Sequence, residues 1–92
     1  MKYHAYIISN HSNSVLYTGI TNNLKRRVFE HKTGKIKSSF AKKYKLYKLL
    51  WFQEFNSSLD AIEAEKRIKG WRRIKKINLI KSLNPNLKNL LE

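Results

Sequence analysis

The chain has 92 residues, which sets a single domain, and its 41% hydrophobic and 12% aromatic content is that of a folded globule rather than a disordered tail. Twenty Lys and Arg against six Asp and Glu leave a net charge of +14, an excess that opposes compaction and points to a nucleic-acid partner, with a solvated basic surface as the plainer alternative. No run of about 18 apolar residues occurs, so no membrane-spanning helix and no membrane partner is expected; the absence of cysteine excludes disulfides and thiolate zinc sites, and the start Met1-Lys2-Tyr3-His4 holds no apolar leader core, which fits a cytoplasmic location.

Tyr3 to Ser9, aromatic and β-branched, predict a strand, and Val15 to Ile20 predict a second. The polar run Asn10-His11-Ser12-Asn13-Ser14 between them is the turn of a hairpin. Thr21-Asn22-Asn23 offer N-caps for a helix from Leu24 to about Thr33, with Gly34 as its stop. The basic stretch from Lys35 to Lys45, with Phe40 and Tyr44 embedded in it, predicts a loop or a short helix. Tyr47 to Phe55 carry the unbroken apolar run Leu49-Leu50-Trp51-Phe52, which predicts a strand covered on both faces. Asn56-Ser57-Ser58 cap a helix from about Leu59 to Lys69, and Gly70 interrupts. Trp71, Ile74, Ile77 and Ile80 then recur every three residues, as for a last helix that Asn84-Pro85 ends. The tail, residues 84–92, is expected to dock Leu87, Leu90 and Leu91 on the core of residues 1–83. The order β-β-α-β-α-α predicts an α+β fold with a small three-stranded antiparallel sheet flanked by helices.

Several polar residues fall where packing alone would not put them. On the first helix, Arg27 and His31 share the apolar stripe of Leu24 and Val28, so Arg27 faces inward while Lys25 and Arg26 do not. An inward arginine needs an anion or a mouth open to water; snorkelling from the stripe edge is the alternative. On the next helix Glu65 stands beside Ala61, Ile62 and Ile68, so its carboxylate borders the apolar face. There it should pair, protonate or bind a metal, and the plain outcome is an ion pair with Lys69 at i+4 or with Arg27 across the core. In the hairpin, pairing of Asn10 with Val15 sets Tyr6 opposite Gly19 and diagonal to Tyr17, which brings two phenols to one face. Gly19 then removes a side chain opposite Tyr6, a mark of close approach, although tyrosine also simply favours strands. His4, His11 and His31 have no metal-ligand spacing, and there is no phosphate loop of the glycine-rich kind.

Taken together these positions resemble the GIY-YIG nuclease family. The first half-motif is degenerate, His4-Ala5-Tyr6, and keeps only its tyrosine; the second, Tyr17-Thr18-Gly19, keeps tyrosine and glycine. The stretch from Leu24 to His31 is similar to the family's first helix, with its arginine at Arg27, and Ala64-Glu65-Lys66-Arg67-Ile68-Lys69-Gly70-Trp71 resembles the segment with its metal-binding glutamate. The usual Gly-Ile before the first tyrosine is lost, and Ile20 stands where some relatives have a lysine. The resemblance runs over residues 3–83 and is nearest to the small single-domain subgroup. It implies helices on both faces of the sheet and an endonuclease that hydrolyses DNA phosphodiester bonds with one Mg²⁺ or Mn²⁺, in repair or recombination. A catalytically silent nucleic-acid-binding module on the same fold is the alternative. No small-molecule cofactor is expected.

On that resemblance Glu65 would hold the metal, Arg27 a nonbridging phosphate oxygen, and Tyr17 would take the proton of the attacking water, helped by nearby positive charge. Tyr6 would position water or phosphate, and His31 would orient Tyr17 or share the proton transfer. Contact with DNA, single-stranded or branched forms included, is expected from Lys35, Lys37, Lys42, Lys43, Arg72, Arg73, Lys75 and Lys76 through phosphates. Phe40 and Tyr44 would stack on an unpaired base.

Overall fold

The computed structural model describes residues 2–33 and 43–91. Gly34, Lys35, Lys37, Phe40 and Lys42, named above as helix stop and DNA contacts, lie outside the described residues. The elements are β1 (Tyr3–Ser9), β2 (Leu16–Thr21), α1 (Leu24–Thr33), β3 (Lys48–Phe55), α2 (Ser58–Lys69) and α3 (Arg73–Leu83). The three strands form one antiparallel sheet in the order β2-β1-β3, so the α+β fold is the one the sequence predicts. Asn23 caps α1, accepting from Arg26 N through Oδ1 at 3.1 Å. Asn13, at φ 60, turns the hairpin in the left-handed region that asparagine tolerates.

β1 is the central strand and its side chains alternate between two layers. Ala5 and Ile7 face Ala64 and Ile68 of α2 and Ile80 of α3. Tyr6 and Ile8 face Val28 of α1, with Leu24 packed alongside. Helices therefore cover both faces of the sheet. β3 serves both layers by a bulge: the register steps from Ile7↔Trp51 to Ile8↔Leu49, leaving Leu50 as the extra residue. Leu50 and Trp51 consequently both join the α2–α3 layer, while Leu49 joins the α1 layer.

One expectation needs correction. The apolar run of β3 is not covered along its whole length, because Phe52 is 38% exposed. The last helix is present as expected, and along its triplet series Ile80 is fully buried whereas Ile74 is 66% exposed. Three residues turn an α-helix by about 300°, so each member of the series falls about 60° away from the last. Ile80 and its neighbour in angle, Ile77, can share the core; Ile74, two steps round, cannot.

The tail meets the outer strand. Leu90 N donates to Leu49 O at 2.8 Å, and Leu49 N donates to Asn89 Oδ1 at 3.2 Å. Buried Asn84 donates through Nδ2 to Leu50 O at 3.1 Å and to Lys88 O at 2.6 Å, and its Oδ1 accepts from Lys88 N at 3.1 Å. Leu87 and Leu90 pack against the two core clusters, whereas Leu91 is 42% exposed.

Candidate active site

The hairpin register decides which side chains meet. Tyr6 pairs with Gly19 and Ile8 with Tyr17, so the two phenols lie diagonally on the α1 face with ring centroids 6.5 Å apart. A Cβ at position 19 would stand 2.5 Å from the Tyr6 hydroxyl and 3.1 Å from the Tyr17 ring. Gly19 is therefore the space into which the Tyr6 hydroxyl fits.

α1 adds Arg27 and His31 to this pair. Val28, next to Arg27, is buried on the core stripe, and His31, one turn past Arg27, is only 4% exposed. The His31 ring lies 5.4 Å from the centroid of Tyr17 and 6.2 Å from that of Tyr6, and its Nε2 is 3.3 Å from the Tyr6 hydroxyl. α2 brings Glu65, whose side chain keeps 13% of its surface, and Lys69, whose ammonium sits 2.7 Å from Glu65 Oε1. Residues from both helical layers thus meet at the outer strand β2. Tyr6, Tyr17, Gly19, Ile20, Arg27, His31, Glu65 and Lys69 line one open cleft of about 210 Å³. The five side chains singled out in the sequence are brought together, and Glu65 takes the partner at i+4 rather than Arg27.

The electrostatics sort the acids and bases. Burial pushes the Tyr6 hydroxyl far above the usual phenol range, with Tyr17 adding to the shift and Arg27 opposing it. Burial lowers His31 below its ordinary 6.5, and Arg27 lowers it further. The imidazole is therefore neutral and the phenol protonated at neutral pH. Tyr6 then donates to Nε2, which fixes the ring proton on Nδ1. Among the described residues that buried Nδ1 has no partner, and neither has Nε of Arg27. The hydrogen bond to Glu65 raises the pKa of Lys69, so its ammonium is held in the charged form.

The donor set suits one kind of metal. Among the described residues no three His, Asp or Glu gather round a point, so a closed cage of protein ligands is not what this cleft offers. One carboxylate on the wall of an open, polar cleft fits a Mg²⁺ or Mn²⁺ ion that keeps several waters and takes phosphate oxygens. Glu65 is the residue that would hold it.

The described DNA-contact candidates lie elsewhere. Lys43, Tyr44, Arg72, Arg73, Lys75 and Lys76 do not line the cleft. Arg73 donates through Nη1 to Ser14 O at 3.1 Å and through Nη2 to Asn13 O, so its guanidinium ties α3 to the hairpin turn. Lys75 Nζ lies 4.4 Å over the Trp71 ring, and Lys43 Nζ 5.3 Å from that of Tyr44. Lys69 is the cleft residue the sequence reading assigned no role beyond ion pairing. Its i+4 spacing from Glu65 was the signal available.

Known proteins share this arrangement of elements. The GIY-YIG catalytic domain family matches residues 2–78. A UPF0213 protein of Syntrophus aciditrophicus is 35% identical over 74 residues, covering 80% of this chain and 84% of its own. One from Streptococcus agalactiae serotype V is 39% identical over 70 residues, covering 76% of this chain and 78% of its own. The solution NMR structure of a UPF0213 protein from Bacillus halodurans superposes with a TM-score of 0.59 at 27% identity, covering 97% of this chain and 93% of that one. With the cleft assembled from the half-motif tyrosines, the first-helix arginine and the glutamate of α2, the chain belongs to the GIY-YIG catalytic domain family, in its small UPF0213 branch.

Proposed function

We propose that the protein is a divalent-metal-dependent endonuclease that hydrolyses phosphodiester bonds in DNA. The observation that carries this reading is the convergence of Tyr6, Tyr17, Arg27, His31 and Glu65 on one open cleft in a chain of net charge +14. Each offers something hydrolysis needs. Arg27, half-buried with its Nε unpartnered among the described residues, holds a nonbridging phosphate oxygen as charge builds there. Tyr6, kept protonated by burial and donating its one proton to His31, positions the water by accepting from it and is not the base. That leaves Tyr17 to accept the proton of the attacking water while the water oxygen bonds to phosphorus and the ester P–O bond breaks. His31, with its ring 5.4 Å from that of Tyr17, packs beside this phenol and orients it. A Mg²⁺ or Mn²⁺ on Glu65 would supply positive charge for the phosphate and the leaving oxygen.

The cations outside the cleft bind backbone. Exposed Lys43, Arg72 and Lys75, with Lys76, offer positive charge to DNA phosphates, and the ring of Tyr44 stacks on an unpaired base; phosphate contacts carry little sequence information. Repair or recombination is the kind of process this chemistry serves.

The test is to incubate the purified protein with single-stranded, duplex and branched DNA in Mg²⁺, Mn²⁺ or EDTA. Cleavage should need the metal, and Glu65→Ala should abolish it while DNA is still retained. A wild type that binds DNA in a salt-sensitive way but never cuts any of the three would sink the nuclease reading. It would leave the silent module, which the Glu65–Lys69 pair favours by neutralising the carboxylate.

A further inference from the structure

The carboxylate of Glu65 already has a cation. Lys69 Nζ lies 2.7 Å from its Oε1 and 5.8 Å from the centroid of the Tyr17 ring. The pair is asymmetric in its freedom. Glu65 keeps 13% of its side-chain surface and is fixed in the wall, whereas Lys69 keeps 52% and swings on a four-carbon stem. A solvent-side pair at this spacing normally only staples a helix. Here both charges line the cleft, and the ammonium occupies the approach to an oxygen that a metal would need.

Resting on the reading of Glu65 as the metal-binding carboxylate, we propose that Lys69 is a built-in competitor for that site, holding Oε1 until a divalent ion displaces its ammonium. An ammonium and a divalent ion on one carboxylate repel each other, so the metal binds more weakly while Lys69 stays on Oε1. Ile20, on the cleft wall, gives the displaced ammonium no acceptor. The phosphate oxygens of a substrate entering the open side offer it a charged acceptor that the neutral phenols of the cleft do not match. Nucleic acid therefore favours the exchange, and the site fills with metal more readily when DNA is present than when it is not. Lys69 acts through Glu65 and is a positioning residue in this scheme.

The experiment titrates Mn²⁺ into the metal-free full chain and reads the free ion by electron paramagnetic resonance. Wild type, Lys69→Met, Lys69→Arg and Glu65→Gln are compared, each checked for an unchanged fold by circular dichroism. Removing the charge in Lys69→Met should tighten Mn²⁺ binding by about fivefold to tenfold, the range expected for a half-exposed competing cation. Lys69→Arg, which keeps the charge, should stay within about twofold of wild type. Glu65→Gln should lose the site. A cleavage-resistant phosphorothioate duplex should then tighten Mn²⁺ binding in wild type by a larger factor than in Lys69→Met. Equal Mn²⁺ affinity in wild type and Lys69→Met, with loss in Glu65→Gln, would overturn the competitor and leave the metal reading standing. Mn²⁺ binding that ignores Glu65→Gln, or is absent from all four proteins, would overturn both.

Discussion

A methyl group at position 19 would press on the Tyr6 hydroxyl at 2.5 Å, and Tyr6 cannot retreat, being 2% exposed and packed against Ile8, Val28 and Leu46. Gly19→Ala is expected to cost about 1–3 kcal/mol of stability in urea unfolding, as overpacking does, and to reduce any cleavage by displacing the Tyr6 hydroxyl. His31 makes a pH prediction. Its folded pKa lies below the ordinary 6.5, so the unfolded chain binds the extra proton first on acidification. The stability from the neutral ring is complete above about pH 6.5 and is lost as pH falls from there through the lower folded value. Thermal unfolding of wild type should therefore worsen from pH 7.5 to 5.5 more than that of His31→Gln; parallel curves would contradict the assignment. At this scale the sequence was legible wherever periodicity acts. Helical spacing put Arg27, His31 and Glu65 on inward faces, and hairpin pairing put Tyr6 opposite Gly19. The i+4 spacing also gave the Glu65–Lys69 pair; what it could not give was that both charges of that pair line the cleft.

Among the elements, strands and helices followed their signals to within a residue or two, although the expected cap at Ser57 makes no side-chain hydrogen bond and, among the described residues, only Asn23 caps its helix that way. What the signals did not show has local causes. A bulge at Leu50 is invisible in an unbroken apolar run, since either register fills the strand with hydrophobics. The exposure of Ile74 follows from a spacing of three on a helix that turns every 3.6 residues, a drift the raw recurrence conceals. Asn84 was read as a helix end, and its amide joins that end to β3 and to the tail by three hydrogen bonds. Such bonding to backbone leaves no pattern in a sequence. Asn84→Ala should leave the Leu50 carbonyl without its buried donor and lower stability by about 1–3 kcal/mol. Urea unfolding measures this, and the cost should appear without any change in Mn²⁺ affinity, since Asn84 does not line the cleft.

For the whole molecule the governing quantity is +14 on 92 residues. Self-repulsion of that size weakens the compact state, and a bound polyanion relieves it. Heparin or DNA should raise the unfolding temperature at low salt, and the gain should shrink as salt is added. A gain that salt does not touch would argue against phosphate-like contacts. Within the described residues no helix is long and apolar enough to cross a membrane. The contact of Leu90 and Asn89 with Leu49 has a further consequence at this scale. β3 is an outer strand, and an outer strand with unpaired amides is a template on which a foreign strand can grow. By occupying both backbone groups of Leu49, the last residues act as a guard against self-association into fibrils. A chain cut after Asn84 should turn cloudy and bind amyloid dyes on standing, and a cut chain that stays clear would contradict this role.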